Sequence, residues 1–482
     1  MKVDLVIIGA GTHGLFLFNQ LKQKYKNIVI LEKGTFNAKK INKKDILQKG
    51  KKHLGTVAQR AFGVGGNSTL WGGQLAEFSE EDIENKKYYW GFDYFELKKL
   101  YGRLYKIFSI TKLDQSINNN LFLKSFHKSK LQYFFTNWLK EPNFYKYFIK
   151  KVPNKNIITE TVIDKINFKS NLATSIEVKI KNKKIKIFTK KIIFAVGCVE
   201  NSKFFLNKKN YPWKSNKFIG KFFQDHLGLM IGKVNIIDKK KFSLLFNNGF
   251  FKGQRYQPKI KYKFNENFQS LGICGEFKFF SKYYIYSKNL KTSVKDYLNY
   301  YKIKDLLKIL LNLISLKFKS FSLIYNYIMY KKIKPFSDKA TKFYIQCEQI
   351  PMYESKIVKN KKNYILDWKI NGSEIELIKR FVNDISDYLV RNKIAIIDQT
   401  KFKKMSNSKI LKNIRDTNHP SGGTIISRNK YCGVVDKNHK VWNTKNIYIT
   451  GSSLFPKSSF ANSTFTSLAL SLKLADYLKK NV

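Results

Sequence analysis

Among the residues able to do chemistry, His419 stands in a stretch built for close approach, Asn418-His419-Pro420-Ser421-Gly422-Gly423. Downstream come Gly433-Val434-Val435-Asp436, an apolar strand from Asn446 to Thr450, and Ala461-Asn462-Ser463-Thr464. Beyond Asn462, the residues Phe465, Leu468, Ala469, Leu472, Ala475 and Leu478 recur every three or four positions. That spacing predicts a terminal helix. An imidazole and a carboxamide are thus offered beside a helix N-terminus, where unpaired N–H groups and the helix dipole favour negative charge. Such a site suits a hydroxyl that gives up a proton while a neighbouring group becomes anionic. The plainer alternative makes His419 a turn residue ahead of Pro420 and Asn462 an ordinary N-cap.

The elements that must position these residues begin at the other end of the chain. Val3–Ile8 is an apolar run broken only by Asp4 and reads as a buried parallel strand. Gly9-Ala10-Gly11-Thr12-His13-Gly14 follows, then a helical pattern and a second strand, Ile28–Leu31, ending in Glu32. This is G-x-G-x-x-G in its strand–turn–helix context, with an acidic residue eighteen positions past the third glycine. Gly9 makes the turn, Gly11 lets backbone approach a pyrophosphate, Gly14 lets helix meet strand, and Glu32 accepts from ribose hydroxyls. His13 is read as a tolerated spacer. A second glycine-rich stretch spans Phe62–Gly73 and includes Gly65, Gly66, Asn67, Ser68 and Trp71. A flexible linker rarely carries Trp and an apolar flank, so this reads as backbone laid against a flat ring or a phosphate. Ile192–Ala195 then gives a third apolar strand, with a turn at Gly197 and a helix start. The segment from Phe78 to about Lys151 reads as helical, and 156–168, 175–188, 227–280 and 340–370 alternate as strands. His226, lacking any local acid or metal-ligand spacing, is read as structural.

Composition narrows the classes. The formal charge of +57 normally suggests a nucleic-acid partner, but only seven of the 91 basic residues are arginine. Arginine is the better phosphate fork and base reader, the lysines are spread along the chain, and no nucleic-acid-binding motif occurs, so nucleic acid is excluded as a partner. Four scattered cysteines (198, 274, 347 and 432) make neither a disulfide framework nor a metal site. No metal is expected. The opening shows no charged-then-apolar leader, so a reducing cytoplasm is expected.

Taken in order, these anchors resemble the glucose–methanol–choline (GMC) oxidoreductase family. The N-terminal strand and glycine loop and Ala195-Val196-Gly197 are similar to its FAD-binding parts. Gly220…Asp225-His226 is similar to a further family segment. His419–Gly423, Gly433–Asp436, Asn446–Pro456 and Ala461–Thr464 resemble its C-terminal signature. Gly65–Trp71 resembles the flavin-contacting loop of the pyranose-oxidase and fructose- or gluconate-dehydrogenase branch.

The resemblance implies an α/β fold: a Rossmann-like FAD-binding domain (1–85, 152–235 and 405–482) interleaved with an antiparallel-sheet substrate domain (86–151 and 236–404). It implies oxidation of a CH–OH group of an alcohol or sugar, with an unspecified electron acceptor. His419 is then the catalytic base and Asn462 its partner, while Val162, Ala195, Gly197, Gly451, Ser452 and Thr464 join the two glycine loops and Glu32 in holding FAD. Leu70 stands where the pyranose oxidases carry a flavin-linking histidine, so FAD is expected to be non-covalent. A non-redox lyase, an FAD-binding structural protein and a nicotinamide-dependent dehydrogenase are the alternatives.

One stretch lies outside this pattern, a helical insertion at about 285–335. Over Ile303–Tyr330 the polar residues Asp305, Lys308, Asn312, Ser315, Lys319, Ser322 and Asn326 form one narrow stripe on a helix that is otherwise nearly all apolar, Lys317 being the clear exception. Such a helix must bury most of its circumference. It would do so as a cap over the substrate domain, as a homo-oligomer interface, or by lying shallowly on the inner face of a membrane. Lysines 302, 304, 331, 332 and 334 would there meet anionic headgroups.

Overall fold

Uninterrupted apolar strands can be buried on both faces only in a parallel sheet covered by helices, and this is where they lie. In the computed structural model, Lys2–Ile8 runs parallel between Ile28–Leu31 and Lys183–Phe194, and Ile447–Ile449 continues the sheet beyond Phe194. The strands Thr161–Lys169 and Leu172–Ile180 extend it as antiparallel ribbons. The helix Thr12–Leu21 packs on the terminal helix Ser463–Lys480, so the two ends of the chain share one core. The structure describes residues 1–40, 45–58, 60–113, 126, 129–148, 151–181, 183–207, 210–263, 271–280, 289–290, 293–294, 297, 303–316, 325, 328–329 and 341–481.

A second, eight-stranded sheet stands beside the first. It runs Ala395–Ile397, Leu227–Ile236, Thr341–Cys347, Ile273–Phe279, Gln254–Tyr262, Leu131–Trp138 and Gln74–Leu75, with Gly249–Phe251 paired to Gln254–Tyr262. Every pairing in it is antiparallel. The helix Glu374–Arg391 supplies Ile378, Phe381 and Ile385 to the core on this side.

Three features differ from the sequence reading. Leu131–Trp138 is a strand, in a segment expected to be helical; its Tyr133, Phe134 and Phe135 are aromatic residues that fit a pleated, half-buried surface. The helix Tyr94–Ile107, expected in the substrate domain, places Leu97, Leu100, Tyr101 and Leu104 in the first core. Leu227–Ile236, expected in the cofactor domain, belongs to the second sheet. In the insertion, Ile303–Leu316 is helical as expected, but it does not bury its circumference. Its Asp305 is buried, whereas Ile303, Leu307, Leu311 and Ile314 are exposed. The remainder of the expected helix, 317–324, 326–327 and 330, and lysines 302, 331, 332 and 334 lie outside the described residues.

The turn after the first strand leaves no room for a side chain at its third glycine. A Cβ on Gly14 would lie 1.9 Å from the carbonyl oxygen of Gly9. Gly14→Ala should therefore cost on the order of 3 kcal/mol, the upper range for overpacking. Chemical denaturation checks this, with a lowered midpoint expected and an unchanged one contradicting the packing.

Candidate active site

The two glycine loops lie back to back. Gly66, at φ +50°, comes within van der Waals distance of Gly11, and a Cβ on Gly66 would meet the Gly11 Cα at 3.0 Å. Gly65 donates its N–H to Ala10 O at 2.8 Å. Glu32 clasps both loops. Its Oε2 accepts from Ala10 N at 2.8 Å, and its Oε1 accepts from Gly34 N at 2.8 Å and Gly63 N at 3.0 Å. With two acceptor positions per oxygen, one position on Oε2 is left for a ligand.

These loops wall a cavity of about 600 Å³, within the size range of cofactor sites. Of the residues singled out in the sequence, Gly9, Gly11, Glu32, Gly66, Asn67, Ser68, Trp71, Val162, Ala195, Gly197, His419, Ser452 and Thr464 line it together. Gly14, Gly65, Gly451 and Asn462 are not on its wall. Gly14 and Gly65 shape the loops behind it, and Gly451, at φ +107°, turns the chain into Ser452 beside His13. Three helices, Thr12–Leu21, Cys198–Leu206 and Ser463–Lys480, begin at or beside this wall, and none has a side-chain N-cap bond. Elsewhere Asp93, Asp238 and Ser406 cap theirs. Three sets of uncapped N–H groups around one cavity fit an elongated anionic ligand.

His13 is no spacer. It lines the cavity, is partly buried, and pairs its Nε2 with Ser467 Oγ at 2.8 Å. Burial pulls its pKa down to about 4, so the ring is neutral. Ser467 gives its own hydroxyl hydrogen to Thr464 O, and it therefore accepts from His13. The bond ties the first glycine loop's helix to the terminal helix.

His419 is held by a buried carboxylate that the sequence reading left without a role. Asp225 accepts five hydrogen bonds: from His226 N, Thr417 N and the Thr417 hydroxyl on Oδ1, and from His53 Nε2 and His419 N on Oδ2. Burial alone would raise its pKa. The hydrogen bond from His53 and the neighbouring imidazoles outweigh that and hold it at about 2. An ionised carboxylate only accepts, so Thr417 must donate to it. The Thr417 oxygen, 2.9 Å from His419 Nδ1, must then accept from that nitrogen. Nδ1 carries the proton, and Nε2 is left with its lone pair. Burial, opposed by Asp225 and assisted by Lys259, lowers the His419 pKa below the usual imidazole value. His53 is fixed in turn, because its Nδ1 accepts from Thr56 N at 3.0 Å.

His53, Asp225 and Asp416 place ligand atoms within 4.8 Å of one another. Both His53 nitrogens are already engaged, and Asp416 accepts from Leu54 N and Gly55 N. The trio is a hydrogen-bonded strap rather than an open metal site. His226, read as structural for want of a local acid, has Asp225 beside it in sequence, and its ring lies 5.0 Å from that of His419. Burial lowers its pKa to about 3, and neither ring nitrogen completes a hydrogen bond of normal geometry.

The loop carrying His419 is pinned by close approach. Gly422, at φ +77°, would drive a Cβ to 1.9 Å from Phe222 O. Gln224 and Ser421 exchange backbone bonds of 3.0 and 2.9 Å, and Ser452 Oγ donates to Pro420 O at 2.8 Å. Asn462 turns its amide toward Gln74 Oε1 at 3.2 Å. A buried polar row continues from there across the second sheet. Gln74 bonds Thr136 and Gln257, Gln257 bonds Glu276 at 3.0 Å, and Lys259 bridges Glu276 and Gln346 at 3.1 Å each.

A carboxyl held below its unfolded value stabilises the fold at every pH above that value, and the contribution is lost as pH falls through the folded pKa. Asp225→Asn should cost about 3–5 kcal/mol near neutrality, the range for stripping one partner from a buried pair. The gap in melting temperature from the parent should hold above about pH 5 and narrow between the ordinary 3.8 and about 2. A gap independent of pH down to 3 would show that the carboxylate charge is not what stabilises the loop.

Residues 358–471 match the C-terminal model of the GMC oxidoreductases. No curated protein matches the chain by sequence. Solved structures match its fold. A formate oxidase of Aspergillus oryzae RIB40 does so with TM-score 0.61 and 14% identity, over 100% of this chain and 98% of that one. A pyridoxine 4-oxidase from Mesorbium loti gives TM-score 0.63 at 13% identity, covering 98% and 99% of the two chains. A fungal aryl-alcohol oxidase gives 0.58 at 14%, covering 99% of each. The family's C-terminal signature over residues 358–471 is thus seated on a Rossmann-like domain interleaved with an antiparallel sheet, a fold similar to that of these oxidases.

Proposed function

We propose that this chain oxidises a CH–OH carbon of a polyhydroxylated substrate to a carbonyl, using FAD held non-covalently along the cavity. The observation that carries the reading is the bare Nε2 of His419, fixed by Asp225 through Thr417, on the same wall as the two glycine loops and the uncapped helices. Glu32 and Val162 would hold the ribose end, Gly11 and Gly66 would admit the pyrophosphate, and Ser463 and Thr464 would face the ring with the first turn of the terminal helix. Bound FAD supplies the acceptor for the two electrons that leave the carbon as hydride. His419 Nε2 takes the hydroxyl proton, and its Nδ1–H stays on Thr417, so the resulting imidazolium is steadied by the Asp225 charge. The Asn462 amide nitrogen reaches Gln74 Oε1 at 3.2 Å and Gln74 O at 3.5 Å, and on substrate binding it would give up the longer of the two to orient the substrate oxygen. Leu70 offers no nucleophile to a flavin, which supports a dissociable cofactor.

A polyhydroxylated substrate is favoured by the polar row that leads away from Asn462. Its hydroxyl and ammonium are buried and its amides buried or partly buried where an aryl-alcohol pocket would carry apolar groups, and Lys259 lies near enough to depress the His419 pKa. Such groups reject an analogue that cannot hydrogen-bond with them.

Anaerobic mixing with hexoses, polyols, nucleotide sugars, benzyl alcohol and pyridoxine tests the class. Bleaching of the flavin by members of the first three groups is expected; bleaching by none of the panel overturns the oxidation, and bleaching by the last two alone overturns the substrate class. His419→Ala should slow flavin reduction about 10²–10⁴-fold with FAD still bound. Thr417→Val should slow it less, and Thr417→Ser should restore it. Because only the neutral ring accepts a proton and its pKa is lowered, the rate should reach its plateau at a pH below that of an ordinary imidazole. Acid precipitation should leave a colourless pellet and a yellow supernatant.

A further inference from the structure

The helix Ile303–Leu316 is amphipathic in the inverted sense. At 100° per residue, Ile303, Leu306, Leu307, Leu310, Leu311 and Ile314 fall within an arc of about 140°, and all six are exposed, Ile303 and Ile314 to 78% and 70%. Asp305 is buried and paired with Lys308 at 2.9 Å, while Asn312 and Ser315 return their hydrogen bonds to the carbonyls of Lys308 and Leu311. Ile328 and Met329, a little further along the chain, are exposed as well. A patch of this kind on a soluble surface marks an interaction site.

We propose that this helix is a membrane-docking element, lying flat with its apolar arc in the headgroup–acyl boundary of an anionic phospholipid bilayer. Charge decides between the occupants that an apolar arc would accept. Two copies of a chain carrying +57 repel one another, whereas the same charge draws the chain to an anionic surface. Lysines stand near the arc in sequence, Lys302 and Lys304 at its start and Lys317 and Lys319 just past its end, and Lys308 on the helix is more than half exposed. The fourteen described residues of the helix, Ile303–Leu316, extend roughly 21 Å, short of the roughly 30 Å hydrocarbon core. Among the described residues no helix is long and apolar enough to cross a membrane. The element lies on the bilayer and does not span it.

The test is flotation of the FAD-loaded full chain with vesicles of phosphatidylcholine alone, or with about one third phosphatidylglycerol. The variant combines Leu307→Ser, Leu311→Ser and Ile314→Ser, and its flavin content and melting temperature are compared with the parent's. The parent is expected to float with the anionic vesicles and not with phosphatidylcholine, and the variant to partition at least about tenfold more weakly. A second measurement does not depend on the variant's folding: Leu311→Cys in a Cys432→Ser background, labelled with bimane, should shift to the blue on the anionic vesicles. No flotation and no shift by the parent chain would overturn the proposal. So would equal flotation of parent and variant, which assigns binding to charge alone, or a parent dimer that the variant dissociates, which assigns the arc to a second copy.

Discussion

The site depends on one ionised carboxylate in a place where water does not reach. Asp225 gathers donors from three parts of the chain: His53 from the segment before the second glycine loop, its own neighbour His226, and Thr417 and His419 from the C-terminal signature. A buried charge is tolerable only when it is paired and hydrogen-bonded, and five donors meet that requirement. The same bonds fix how Thr417 must point and therefore which nitrogen of His419 holds a proton. Solvation of one group and tautomer choice in another are a single constraint.

The second constraint is backbone proximity. Gly11 and Gly66 touch without side chains between them, and Glu32 bonds N–H groups on both loops. Because the carboxylate is already engaged with backbone, the cradle is shaped by the protein's own contacts. Preorganisation of this kind lowers the ordering cost of binding. His13 adds a cross-tie to the terminal helix, so the first glycine loop and the last helix are bonded directly.

Much of this was legible in the sequence wherever the signal is local. Glycines at fixed offsets after an apolar strand identify the first loop, and three- and four-residue spacing identifies the terminal helix from Ser463. What escaped the reading depends on partners far apart in the chain. Asp225 meets His53 172 positions upstream and His419 194 positions downstream, and no window contains them together. His13 looked like a spacer because Ser467 is 454 residues away. Leu131–Trp138 escaped because its aromatic residues show no clear period, and the sheet that orders them is assembled from distant strands. For Ile303–Leu316 the period was plain and the orientation was not, since an amphipathic pattern tells which residues share a face but not which face turns outward.

The span of the Asp225 bonds also bears on how the chain comes into being. The first strand, Lys2–Ile8, is synthesised early, yet its sheet neighbour at 183–194 and the flanking Ile447–Ile449 arrive much later. The carboxylate's last donors lie 192 and 194 positions downstream of it. Closing loops this long precedes the gain from the contacts they permit, which makes such topologies slow to form. Until the C-terminal segment leaves the ribosome, the N-terminal strands carry unpaired edges and Asp225 lacks the donors that make its burial tolerable. Completion of the Asp225 cluster thus waits until a segment 194 positions downstream has been made, and the partly made chain is exposed to misassociation in the interval.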